Sequence, residues 1–172
     1  MLLNRLFRKP VAAHRRLYEA IVAAARHSVP YDAWQVPDSL DGRFDMIAIH
    51  AYLALDRLKG GNAGLRQALV DELFADMDRS LREMGVGDIS VGKKVRKMAE
   101  VFYGRIAAYD RALPRGTEAL ESALARNVFP DGAPPGSVVK LAAYVLEARA
   151  MLAGLPAGEL LDGRIAFPEP RP

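Results

Sequence analysis

The chain has 172 residues, 51% of them apolar and 26% charged, a balance that fits one globular domain with a sizeable core and excludes disorder throughout. The absence of cysteine excludes a disulfide framework, a thiolate nucleophile and Cys-based metal sites, and three scattered histidines, His14, His27 and His50, are too few for a His-rich metal centre. A net charge of +3, from 24 basic and 21 acidic residues, is too small by itself to argue for nucleic acid, so the distribution of charge matters more than its sum.

Residues 1–10, MLLNRLFRKP, form a short basic lead. Leu2, Leu3, Leu6 and Phe7 fall on one face of a short helix, with Arg5, Arg8 and Lys9 elsewhere. That pattern suits either a weak interfacial anchor or a frayed terminus, and it lacks the apolar core and cleavage site of a secretory signal. Residues 11–27 then read as a helix, with Leu17, Ile21 and Ala24 at helical spacing and dense alanine. The loop that follows holds Tyr31 and the single Trp, Trp34. Aromatics in a loop pin it to a core, and a ligand-stacking role is the sharper alternative.

Ser39 or Asp41 is placed to cap a second helix over 43–59, with Phe44, Ile47, Ala51, Leu55 and Leu58 inward and His50 beside them as a satisfied or half-exposed histidine. Gly60, Gly61 and Asn62 end it. An acidic helix runs from residue 63 or 64 to 84, striped by Leu65, Leu69, Leu73, Met77, Leu81 and Met84, and stops at Gly85. Asp88 or Ser90 caps a basic helix with a regular stripe, Val91, Val95, Met98, Phe102, Ile106, Tyr109 and Leu113, within an arc of roughly 80°. Thr117 is placed to cap a helix to residue 127, with Leu120, Ala123 and Leu124 inward. Ser137 is placed to cap another to residue 153, with Leu141, Val145, Ala148 and Leu152 inward.

No strand alternation of useful length appears. The expected fold is all-α, a single-domain bundle of about six helices over 11–155, followed by an irregular or disordered Pro-rich tail, 156–172, in which residues 165–167 can dock as an extended piece. The longest apolar-rich segment, 138–155, is interrupted by Lys140, Glu147 and Arg149, so no stretch of ~20 apolar residues offers a spanning helix. The expected protein is soluble, cytoplasmic, and peripheral on a membrane surface at most.

Three clusters bear on chemistry. Residues 87–93 match G-x-x-x-x-G-K, but Lys94 stands where Ser or Thr must hold magnesium, and an amphipathic helix precedes the match where a buried strand belongs. Asp71, Glu72, Asp76, Asp78 and Glu83 make an acidic set. Asp76 and Asp78 serve as a general acid–base pair on the sharper reading, and the set is a solvated face or a partner of the basic helix on the plainer one. No His follows a Glu by three, so the carboxylate–histidine metal motif of helical bundles is missing. Lys93, Lys94, Arg96 and Lys97 crowd a helix start, the end whose dipole disfavours cations. They suit an anionic partner, which is lipid, RNA phosphate or an acidic protein face, or else pair internally with the acidic helix. Neither metal, cofactor nor catalytic constellation is expected, and the chain reads as no enzyme.

Residues 77–88, MDRSLREMGVGD, followed by Val91-Gly92-Lys93 and Phe102-Tyr103-Gly104-Arg105, resemble the signature of the ubiquinol–cytochrome c chaperone family. Tyr18-Glu19-Ala20-Ile21-Val22 and residues 41–47, DGRFDMI, resemble further landmarks of that family, so the resemblance runs over about 11–150 in matching order. The motif positions are Asp78, Arg82, Glu83, Gly85, Gly87, Asp88, Gly92, Phe102, Tyr103 and Arg105. Lacking the long targeting extension of mitochondrial members, the chain looks like a bacterial relative. The resemblance implies an all-helical, non-enzymatic assembly factor that binds newly made cytochrome b during biogenesis of ubiquinol–cytochrome c reductase. Mitochondrial members work with a small partner subunit near the ribosome exit. The alternative from the residues alone is an RNA- or ribosome-associated module using Lys93, Lys94, Arg96 and Lys97.

Overall fold

The computed structural model describes residues 12–172, so the basic lead over 1–10 lies outside the described residues. In chain order the elements are α1 (Ala13–Ala25), α2 (Val29–Asp32), α3 (Leu40–Arg57), α4 (Ala63–Glu83), α5 (Asp88–Ala112), a 3-10 turn (Leu113–Arg115), α6 (Thr117–Val128), α7 (Ser137–Ala153) and α8 (Ala157–Leu161). The six expected helices are all present, and α2 and α8 are added single turns. No strand occurs among the described residues, and no helix among them is long and apolar enough to cross a membrane.

The starts of the helices show which local signals act. Ser39 caps α3, its hydroxyl accepting from the Gly42 N–H at 3.1 Å, and Asn62 caps α4 by accepting from the Leu65 N–H at 2.9 Å. Asp88, Thr117 and Ser137, expected as caps, are instead the first helical residues, behind Gly87, Gly116 and Gly136, and make no capping bond. Gly116 and Gly136 sit at φ +101° and +79°. Only glycine takes that backbone readily, so it makes the turn and the helix begins one residue later. Gly85, at φ +83°, ends α4 as expected.

α3 is the axis of the bundle. Twelve of its 18 residues are buried, because α1 covers one side and α5, α6 and α7 the others. A helix apolar all round is a central helix, and its expected stripe is therefore a cylinder. Two core clusters result. Leu17, Ile21, Leu69, Leu73 and Phe102 pack between α1, α4 and α5, while Trp34, Ile49, Leu120, Leu124, Leu141 and Val145 pack between α3, α6 and α7.

His50, on α3, is fully buried and satisfied. Its Nδ1 lies 2.7 Å from the Met46 carbonyl, which only accepts, so Nδ1 carries the proton and donates to it. Nε2 then accepts from the Tyr144 hydroxyl at 2.8 Å. Burial disfavours the imidazolium and pushes the pKa down to about 4.

The Pro-rich tail is irregular after α8 but ordered. Ile165 and Phe167 pack on both clusters, and the Phe167 ring meets His50 edge-on at 4.8 Å between centroids. Trp34 is pinned to the core as its loop suggested, with its indole N–H donating to the Arg171 carbonyl at 2.8 Å. The tail thus occupies the place a stacked ligand would need, which excludes the ligand-stacking alternative.

Candidate partner-docking trough

Most of the signature over residues 77–88 builds a turn. Arg82 donates to Asp78 one helical turn back at 2.6 Å and reaches across the hairpin to Asp88, so one guanidinium ties the end of α4 to the start of α5. Gly85 and Gly87 shape the backbone between them, and Glu83 and Gly92 are exposed. Phe102 is fully buried, whereas its neighbour Tyr103 is more than half exposed.

Beside this turn the surface is hollow. A groove of about 610 Å³ runs between the start of α3, the middle of α5 and the end of α6, with Leu40, Phe44, Leu81, Met98 and Val101 among its walls. A second, of about 680 Å³, lies between α2, α3 and the end of α4 and shares Leu40, Phe44 and Met98 with the first, adding Met77 and Met84. The two form one trough. Leu40 and Met84 are 57% and 56% exposed along it. Three of the six methionines line it, and methionine's flexible, polarisable thioether adapts to differently shaped apolar partners.

The floor holds the one deeply buried ion pair of the region. Arg105 Nε lies 2.5 Å from Asp45 Oδ1, with its N–H not aligned on the oxygen. Asp45 is 3% exposed. Burial raises its pKa to about 7, against the lowering effect of Arg105 and with a smaller raising contribution from Asp41. Arg105 also sits over the Phe44 ring at 5.8 Å. The contact joins two stretches that carried the family resemblance, residues 41–47 and 102–105, which no local spacing connects.

Gly42 sets the wall of the trough. A Cβ there would stand 1.9 Å from the Pro37 carbonyl oxygen, a backbone atom that cannot swing away. Gly42→Ala is therefore expected to displace the start of α3 and to lower stability by about 1–3 kcal/mol, read from the urea midpoint. An unchanged midpoint would show that the loop before α3 yields freely.

The basic cluster is divided by the helix. Lys94 and Lys97 line the trough, whereas Lys93 and Arg96 point away from the bundle. Lys97 meets Glu100 at 3.3 Å, and Lys93, Lys94 and Arg96 form no ion pair among the described residues. Internal pairing with the acidic helix, one of the two expectations, is overturned. Glu72 faces His14 and Arg15 on α1, Asp76 accepts from the Tyr18 hydroxyl at 2.8 Å and from Arg79, and Asp78 is bound by Arg82. The acids of α4 turn to α1 and to their own helix because the face toward α5 is apolar. Asp76 and Asp78 are thereby engaged by separate arginines rather than held as a pair. Residues 88–93 are helical, so the partial phosphate-loop match is a helix start.

A family model described as ubiquinol-cytochrome C chaperone matches residues 32–167, starting later and ending later than the resemblance over 11–150. The chain is 26% identical over 117 residues to ubiquinol-cytochrome-c reductase complex assembly factor 1 of Xenopus laevis, and equally so to the Mus musculus protein of that name. The match takes in 66% of this chain but 58% and 40% of those two, so the chain spans about half the length of the curated relatives it matches. A crystal structure of the Cbp3 homolog from Brucella abortus superposes with a TM-score of 0.82 at 42% identity, covering 98% of this chain and 97% of that one. The family match takes in the Trp34 loop after α2, the apolar trough residues named above, the Asp45–Arg105 pair and the docked tail as far as Phe167, and on that evidence the chain belongs to the ubiquinol–cytochrome c chaperone family.

Proposed function

We propose that this chain is a non-enzymatic assembly chaperone that binds newly made cytochrome b and assists biogenesis of ubiquinol–cytochrome c reductase, working in the cytoplasm at the inner membrane surface. The observation that carries the reading is the methionine-lined trough. It is an open surface on which Leu40, Phe44, Met77, Met84, Met98 and Val101 make an apolar strip bordered by charged side chains, Lys94 among them. Apolar patches of this kind on a folded domain mark sites of protein association. The relatives' names, as assembly factors of ubiquinol–cytochrome c reductase, support the client class. They give no support to the RNA- or ribosome-associated alternative.

The test is a crosslinking capture from cells together with complementation of a strain lacking the gene. Wild-type protein should enrich cytochrome b and restore assembled reductase. Leu40→Asp combined with Met84→Lys, at two positions already more than half exposed, should leave the fold intact. That variant should capture at least about tenfold less cytochrome b, the equivalent of ~1.4 kcal/mol. Normal reductase levels in the deletion strain would overturn the reading.

A further inference from the structure

Ile89 is 99% exposed, the most open of the large apolar side chains among the described residues. It stands in the first turn of α5, at the tip of the α4–α5 hairpin. At 100° per residue, Ile89, Lys93 and Arg96 fall within an arc of roughly 60°, opposite the buried Val91 and Phe102. Met84, 56% exposed, closes α4 on the other side of the same turn. Lys93 and Arg96 have no acidic partner. Of the acids near the tip, Asp78 and Asp88 are held by Arg82, and Glu100, further along the outward face, meets Lys97. Glu83 is exposed at the end of α4.

An exposed isoleucine on a protruding turn, with two free cations on the following turns of the same helix face, fits a surface that is anionic outside and apolar just beneath. A bilayer containing acidic lipids is such a surface. RNA phosphates would engage Lys93 and Arg96 but offer Ile89 no apolar environment. We propose that the α4–α5 turn docks on an anionic phospholipid bilayer, with Ile89 entering the boundary between headgroups and acyl chains and Lys93 and Arg96 meeting lipid phosphates. This gives the peripheral location proposed above a physical basis, and it requires no client. Lys94 and Lys97, on the adjoining side of α5, then hold the trough next to the membrane surface.

The experiment uses the full purified chain and phosphatidylcholine vesicles with or without phosphatidylglycerol, read by co-sedimentation. A chain lacking residues 1–10 is run in parallel, because that lead has its own basic and apolar pattern. Binding should require phosphatidylglycerol and weaken with salt. Lys93→Gln and Arg96→Gln should each weaken it about fivefold, and Ile89→Asp about tenfold or more. Ile89→Trp should shift its emission to shorter wavelength on binding, over a constant background from the buried Trp34. These differences should persist without residues 1–10. Ile89→Asp binding as tightly as wild type would overturn the proposal, as would an Ile89→Trp emission that bound vesicles leave unchanged. Binding to single-stranded RNA that depends on Lys93 and Arg96 but ignores Ile89, with no vesicle binding, would replace it with the nucleic-acid reading. Because no client is present, failure here leaves the cytochrome b reading standing.

Discussion

Asp45→Asn is expected to lose about 3 kcal/mol of stability as pH falls from 6.5 to about 4, across a range in which the wild-type protein changes little. Two buried groups act against each other there. Asp45 has its pKa raised from 3.8 to about 7, chiefly by burial, so the native state holds a proton that the unfolded chain has released. Stability from this group is full below 3.8 and declines as pH rises to 7, by about 4 kcal/mol at ~1.4 kcal/mol per unit. His50 has its pKa lowered from 6.5 to about 4, again by burial, so the unfolded chain holds a proton the native state refuses. Its stability is full above 6.5 and is lost by about 3 kcal/mol as pH falls to 4. The two slopes have opposite sign over nearly the same window and largely cancel. Asp45→Asn removes one of them and exposes the other. His50→Gln should do the reverse, losing about 4 kcal/mol between pH 4 and 7. Urea midpoints taken across the range decide the matter, since the slope with pH is independent of any constant cost of the substitution. Parallel curves for Asp45→Asn and wild type would mean that Asp45 is ionised throughout, held so by Arg105.

The bundle was legible where a helix buries one face and keeps the other in solvent, and illegible where a helix is buried nearly all round. Leu69, Leu73, Met77 and Leu81 of α4, and Leu141, Val145, Ala148 and Leu152 of α7, repeat at helical spacing and are buried as that spacing predicts. α3 gave a stripe too narrow for its surroundings, because partners on all sides bury Met46, Ile49, His50 and Leu53 as well. The helix starts were misplaced by one residue where Gly87, Gly116 and Gly136 precede a carboxylate or a hydroxyl, since the sequence shows the capping side chain but not that the glycine before it takes the N-cap place. The trough had no signature at all. Its walls come from the start of α3, the end of α4, the middle of α5 and the end of α6, and Phe44, Met77, Leu81, Met84 and Met98 each read locally as part of their own helix's stripe, while Leu40 and Val101 fall outside any stripe. Asp45 was the one available clue, a carboxylate inside an apolar run whose partner, Arg105, lies far along the chain. The basic cluster was found as a cluster, but its division into Lys94 and Lys97 on the trough and Lys93 and Arg96 on the outer face depends on where α5 is anchored.

Removing residues 164–172 should lower stability by about 4 kcal/mol and shift the emission of Trp34 to longer wavelength. The tail is the lid of the core between α1 and α7. Ile165 and Phe167 fill it from outside, each half-buried and worth about 1.5 kcal/mol or more. Charged contacts add less: His27 lies 3.2 Å from Glu169, and Arg171 lies 3.3 Å from Glu147, both with exposed partners. The remainder comes from what the tail covers. Without it the Trp34 N–H loses the Arg171 carbonyl, and water reaches Tyr144 and His50, whose hydrogen bond depends on being dry. For a chain of this size, about 4 kcal/mol corresponds to a fall of roughly 8–16 °C in Tm. Phe167→Ala alone should give about half of that, because it opens the contact with His50 while the Trp34 bond holds the irregular chain beyond it. The single Trp makes the test direct, since its emission reports only this corner of the molecule. A truncated chain that melts within about 2 °C of the full one, with unchanged emission, would mean that the tail rests on a core already closed beneath it. The seat of Gly163 argues otherwise. A Cβ there would fall 2.6 Å from the Ala13 carbonyl at φ +76°, so the chain enters the tail in contact with the backbone of α1 and on a course only glycine allows.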